Sequence, residues 1–216
     1  MTAMSKNPVL SLVAVGVLVA GTLICWSIFR SAKPVKLPDT ISTVAAGYPF
    51  ASKIKSAIAR DAWLSGVLVD LDSAEGGFQV RTITYGFQTS KKDRTLFVQV
   101  DNTTHTAFAL GVVEPPRDPL IPSFVFQELN LSNIFKDIPD VLKIAKADKL
   151  AEFCEIVPPN ARQVGLNLGN RESGPTWSVV ADGWDEKGPI ADLNIQINPK
   201  TGEVISAVMN KGVGRP

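Results

Sequence analysis

The chain has 216 residues, with 22 basic and 21 acidic side chains, 45% hydrophobic residues and only two cysteines. The first thirty residues hold two of the bases, Lys6 and Arg30, and no acid, so the remainder carries 20 bases against 21 acids. A polar part at that balance has no field to hold nucleic acid, and with Cys154 alone in it a disulfide-stapled module is excluded.

Residues 1–8 read as a short tail. The next 21 residues, 9–29, hold no charge and are bounded by Lys6 and Arg30. As a helix they span about 31 Å, close to the roughly 30 Å of a bilayer's hydrocarbon core. A cleaved signal peptide wants small residues at its exit, but Ile28, Phe29 and Arg30 stand there. A lipoprotein signal is disfavoured by Leu23 and Ile24 before Cys25. The expectation is a single-pass transmembrane helix at the cell membrane. Arg30, Lys33 and Lys36 favour a cytoplasmic domain by the positive-inside rule. A short N-terminal tail favours the opposite, and the extracytoplasmic (periplasmic) side is the one expected. Gly16 and Ala20 form a small-xxx-small pair able to seat a second helix, which gives a homodimer as a further expectation.

Residues 30–49, with Pro34, Pro38 and Gly47, read as a tether. A first α+β unit is expected over 50–113. Ser52 caps a helix through Ile54, Ala57, Ile58 and Ala62 that ends at Gly66. Val67, Val69 and Leu71 then alternate as a strand before a turn through Ser73, Glu75 and Gly77. Runs 78–87, 94–100 and 106–113 are rich in β-branched and aromatic residues, and Asp101-Asn102-Thr103-Thr104 turns between the last two. Residues 114–136, with Pro115, Pro116, Pro119 and Pro122, form a connector.

The order then repeats over 137–209. Asp137 caps a second helix with Pro139 in its first turn, where a missing N–H costs nothing. Ile138, Val141, Leu142, Ala145, Leu150, Phe153 and Cys154 are its predicted inner face, and Pro158-Pro159 ends it. Strands follow at 163–168, 176–181, 193–197 and 204–208, before a tail at 210–216. Helix followed by meander, twice over, gives an α+β class.

Three pieces of the second unit carry a family resemblance. They are the helix Val141-Leu142-Lys143-Ile144-Ala145-Lys146-Ala147, the strand Pro175-Thr176-Trp177-Ser178-Val179-Val180, and the hairpin Asn198-Pro199-Lys200-Thr201-Gly202-Glu203-Val204 with the strands around it. Together they resemble the PepSY family, small modules of one helix on an antiparallel meander with a cystatin-like layout, and 50–113 reads as a divergent first copy. The resemblance implies a non-catalytic module with a peptidase or other envelope protein as partner, and it supplies no active-site residue. The hairpin has its own physics, since Gly202 is free to take the left-handed conformation that returns the chain.

Side chains with chemistry are sparse. His105 is the only histidine and follows a turn, and Cys154 sits on an apolar helix face as structural cysteines do. Asp70, Asp72 and Glu75 suggest a calcium loop, but the glycine and final acid are misplaced for one. Asp182, Asp185 and Glu186 gather around Trp184 in what reads as a solvated loop, and Trp184 with Asp185 is the expected partner-binding site. Asn102-Thr103-Thr104 and Asn130-Leu131-Ser132 match the glycosylation sequon. No catalytic residue, cofactor or metal is expected. The expected function is a membrane-anchored, non-catalytic binding module, with a structural subunit of a membrane or secretion-type assembly as the alternative.

Overall fold

The computed structural model describes residues 32–74, 77–90, 94–113, 127–171, 174–186 and 188–212. Thr43 caps helix α1, Val44–Ile58, by accepting a hydrogen bond at Oγ1 from the Ala46 N–H at 3.1 Å. The helix begins well before Ser52 and stops well before Gly66. Val44, Gly47, Ala51 and Ile54 recur at three- and four-residue spacing and are buried along one face. That packing carries the helix through Pro49, whose ring ordinarily disfavours an interior position.

Nine strands follow the chain order. They are β1 (Val35–Lys36), β2 (Trp63–Ala74), β3 (Gly77–Gln88), β4 (Thr95–Asp101), β5 (Thr106–Val113), β6 (Arg162–Arg171), β7 (Gly174–Asp185), β8 (Gly188–Ile197) and β9 (Val204–Lys211). Between β5 and β6 lie α2 (Ile138–Ala145), a single wide turn at Lys146–Leu150, and α3 (Ala151–Ile156). The sheet order is β1-β5-β4-β3-β2-β6-β7-β8-β9, and every neighbouring pair is antiparallel.

This corrects the expected architecture. The expectation was a transmembrane helix followed by two PepSY-like helix-plus-meander units; the described residues instead form mainly one continuous nine-stranded sheet with short helices on one face. The two stretches of strands fuse where β2 pairs with β6, from Gly66 opposite Gly169 to Leu71 opposite Val164. Alternation fixes which face of a strand is apolar, but not which strand lies beside it. Two unpaired edges of matching pattern are stable when they meet. Residues 9–29, with Gly16 and Ala20, lie outside the described residues. Among the described residues no helix is long and apolar enough to cross a membrane.

The expected tether is also corrected. Val35 and Lys36 pair with Ala107 and Thr106, and Leu37, Ile41 and Val44 are buried in the core. Asn102 fastens this segment down: its Oδ1 accepts from Ile41 N, while its Nδ2 donates to the carbonyls of Ile41 and Val80, each at 2.8 Å.

Alternate residues of each strand face the helices. Ile83, Tyr85 and Phe87 on β3, Leu166 and Leu168 on β6, and Trp177 and Val179 on β7 join Val44, Ala51, Val141 and Phe153 in one core. Burying each such aliphatic side chain contributes about 1.5–3 kcal/mol. Asp137 joins the helices. Its Oδ1 accepts from Ile138 N at 2.7 Å and from Val44 N at 2.9 Å, and its Oδ2 accepts from Ala45 N at 3.2 Å. One carboxylate therefore serves the N-termini of α1 and α2, where unpaired N–H groups and both helix dipoles favour negative charge. The Tyr85 hydroxyl, buried beside it, donates to Val44 O at 2.7 Å.

The closing hairpin follows its sequence. Gly202 lies at φ +81°, and its N–H donates to Asn198 O at 2.8 Å. Pro199 O in that hairpin accepts from Phe135 N and Lys136 N at 3.0 and 2.8 Å, which ties it to the start of α2.

Candidate functional site

The face of the sheet turned away from α1, α2 and α3 offers the largest organised array of side chains. Register lines them up in rows about 4.8 Å apart from strand to strand. One row runs Gln99, Thr84, Leu68, Asn167, Ser178, Gln196 and Ser206 across seven strands. The next runs Thr82, Asp70, Gly165, Val180, Asn194 and Val208. Uncharged hydroxyls and amides dominate the first row, the second mixes them with Asp70 and Gly165, and Leu68, Val180 and Val208 stand exposed in the two. On a face that none of the described helices covers, these aliphatics are the exception, because ordinary outward positions of a sheet are polar.

Small residues lower part of this surface. Gly86 pairs with Gly66, and Gly66 with Gly169, so three adjacent strands present backbone alone. The Phe97 ring covers the first of them, 3.4 Å from where a Cβ on Gly86 would stand.

Trp184 sits at one corner, close to the end of β7. A register irregularity between Gly183 and Trp184 interrupts the pairing with β8, after which Trp184 lies opposite Pro189 and Asp185 opposite Gly188. Such irregularities re-aim side chains. Gly183 is buried where Val157 fills the space a Cβ would need, and Trp184 turns outward with 60% of its surface exposed. Asp185 and Glu186 beside it are exposed. The segment expected as a solvated loop is thus the end of a strand, with its tryptophan presented from a rigid element.

Charge on this face is mostly acidic. Asp182 lies opposite Asp192 on β8, and Asn210 Nδ2 donates to Asp192 Oδ1 at 2.9 Å. Burial, and then the charge of Asp192, pushes the Asp182 carboxyl above its ordinary value. Asp70 accepts from Thr82 Oγ1 at 2.7 Å and stands 4.0 Å from the Arg81 guanidinium, which also reaches Asp72 at 3.7 Å. Asp70 and Asp72, two of the acids that suggested a calcium loop, are therefore paired along a strand, and Glu75 lies outside the described residues. Among the described residues no group of three or more histidine, cysteine, aspartate or glutamate side chains is placed to hold a metal ion.

The other singled-out residues lie elsewhere. His105 is exposed in the turn between β4 and β5 at φ +51°, with its carbonyl accepting from Leu37 N. Cys154 packs on α3 against the core, and its carbonyl accepts from Arg162 Nη2 at 3.1 Å. Asn102 commits its side-chain amide to Ile41 and Val80, and Asn130 accepts from Ser132 N, so both sequon asparagines hold the backbone. Sequence reasoning passed over Leu68, Val180 and Val208, since an apolar residue in a strand reads as core until its face is known.

No family model matches the chain, and no curated protein is similar to it. Among solved structures it is similar to a chain from Clostridium difficile 630 described as "a putative lipoprotein". The two are 16% identical, with a TM-score of 0.46, over 76% of this chain and 92% of that one.

Proposed function

We propose that this protein is a non-catalytic binding module associated with the membrane at the cell envelope, which holds a protein partner on the sheet face turned away from α1, α2 and α3, around Trp184. The observation that carries this reading is Trp184 itself. A tryptophan 60% exposed at the end of a strand is a costly thing to leave in water, and aromatic anchors of this kind dominate interfaces. Leu68, Val180 and Val208 extend an apolar component across a surface of hydroxyls, amides and the carboxylates of Asp70, Asp182 and Asp192. Such a surface suits docking, and a peptidase or other envelope enzyme is the partner class proposed. Association with the membrane rests on the uncharged sequence of residues 9–29.

The test is capture of partners by the full-length protein from solubilised membranes of its source. Trp184→Ala is expected to weaken capture about thirtyfold, the equivalent of about 2 kcal/mol, and to leave the melting temperature unchanged within a few degrees. Capture equal to that of the unaltered protein would remove Trp184 from the interface. A structural subunit of an envelope assembly is the second reading, favoured by the edge of β9, the last strand in the sheet order, whose far side pairs with no strand among the described residues.

A further inference from the structure

Charge is unevenly divided along the chain. Residues 32–60 hold five bases, Lys33, Lys36, Lys53, Lys55 and Arg60, against one acid, Asp39, whereas residues 61–216 hold 15 bases against 20 acids. The fold gathers this basic segment at one edge of the sheet. β1 and the residues before it set Lys33 and Lys36, both exposed, beside β5. Next to them α1 packs over β4 and β5. Its Tyr48 is turned toward the middle of the sheet, against Tyr85 and Phe87 of β3, so the opposite flank of the helix faces the edge. Phe50 and Lys53 share that flank, three residues apart. Arg60 is exposed just past the helix, where its carbonyl accepts from Lys55 Nζ at 3.2 Å. Apolar surface stands among these charges. β1 pairs only with Ala107 and Thr106, and the β4–β5 register steps from Phe97 opposite Gly111 to Val98 opposite Ala109. Leu110 is the extra residue of that bulge, turned outward and 49% exposed.

We infer that the β1–β5 edge, with the neighbouring flank of α1, lies against the surface of a bilayer that carries anionic headgroups. The inference rests on the membrane association proposed above and adds which side of the protein meets the lipid. Chain length carries the placement. The uncharged run ends at Phe29, three residues before Ala32, and Ala32 packs against the core. Three residues span at most about 11 Å, so this edge begins within that distance of the end of the run. Charge carries the choice of partner. Phosphate headgroups attract Lys33, Lys36, Lys53 and Arg60 within about one Debye length, roughly 8–10 Å. Leu110 and Phe50 supply the apolar contact that a headgroup boundary accepts. Two acids border the surface and are engaged: Asp61 accepts from the Ser90 hydroxyl, and Asp101 from the N–H groups of Thr103 and Thr104. Trp184, on β7, is five strands from β5 and so stands roughly 24 Å along the sheet from the lipid edge, clear for a protein partner.

The test reconstitutes the full-length protein into phosphatidylcholine vesicles, with and without phosphatidylglycerol, that contain a lipid-attached quencher. In a Cys25→Ser, Cys154→Ser background, a fluorophore is placed at Leu110→Cys or, on the opposite edge, at Val208→Cys. With phosphatidylglycerol present, quenching at 110 is expected to be about threefold or more that at 208, and to fall toward the 208 level without it or in high salt. Lys33→Gln, Lys36→Gln, Lys53→Gln and Arg60→Gln combined are expected to produce the same fall, with the melting temperature unchanged within a few degrees. Equal quenching at the two positions would overturn the inference, as would quenching at 110 that the combined variant leaves intact. A label at 110 already shielded in detergent solution would mean that a second copy of the chain covers this edge, and would overturn it too. Flotation of the same vesicles reads the membrane association separately. Protein that floats without selective quenching defeats this inference alone, and protein that does not float defeats both.

Discussion

At the level of single residues, Asp182 shows how position decides the sign of a contribution. Its carboxyl faces Asp192 across the β7–β8 pair and is held above its ordinary value by partial burial and by that neighbouring charge. A group whose value is raised on folding contributes stability that is fully present below its unfolded value, about 3.9, and is lost as pH rises through the higher folded value. Asp182→Asn is therefore expected to stabilise the protein at pH 7 and to have no effect at pH 3. The site is partly open to water, so the gain stays below about 1 kcal/mol. Denaturant titrations of both proteins at the two pH values check this, and a gain that persists at pH 3 would mean that packing, rather than charge, is responsible. Gly202 was legible at this scale, because proline and glycine at their spacing specify a turn whatever surrounds it. The exposure of Trp184 was anticipated too, but its place on a strand end was not, since the register irregularity that turns it outward arises from pairing with β8.

Among the elements, the helices show most plainly what local sequence leaves open. Asp137 was readable as the cap of α2, being an N-cap residue followed by Pro139. Its second role, accepting from Val44 N and Ala45 N at the start of α1, spans more than ninety residues of chain and has no local signature. The start of α1 was misplaced for a related reason. Thr43 caps it modestly, and the burial of Val44 against the sheet and the Asp137 carboxylate supply what the sequence around Pro49 does not. Asp137→Ala removes a cap from two helices at once. With roughly 1 kcal/mol for each, the expected loss is about 2 kcal/mol, or a fall of about 4–8 °C in the melting temperature for a protein of this size. Calorimetry measures it. A loss no larger than that of Thr43→Ala, which touches α1 alone, would show that the shared carboxylate contributes little to either helix.

For the whole molecule, the pairing of β2 with β6 and the shared Asp137 make the two halves interdependent. Expressed alone, residues 32–113 would lose the carboxylate at α1 and the neighbour of β2, and residues 127–212 would expose the edge of β6. Neither half is expected to unfold cooperatively by itself, whereas the two mixed together are expected to regain a single transition. A sharp thermal transition from either half alone would establish it as an independent domain. Composition, the alternation of apolar residues along each strand, the caps and the Pro–Gly turns were set by the sequence itself, because each depends on neighbours a few residues apart. Tertiary structure alone decided that the strands form one sheet, that Leu68, Val180 and Val208 face water instead of the core, and that β1 and β9 are the two edges among the described residues. Those outcomes depend on which strand lies beside which, and edge pairing between distant segments is chosen by the packing of the whole chain.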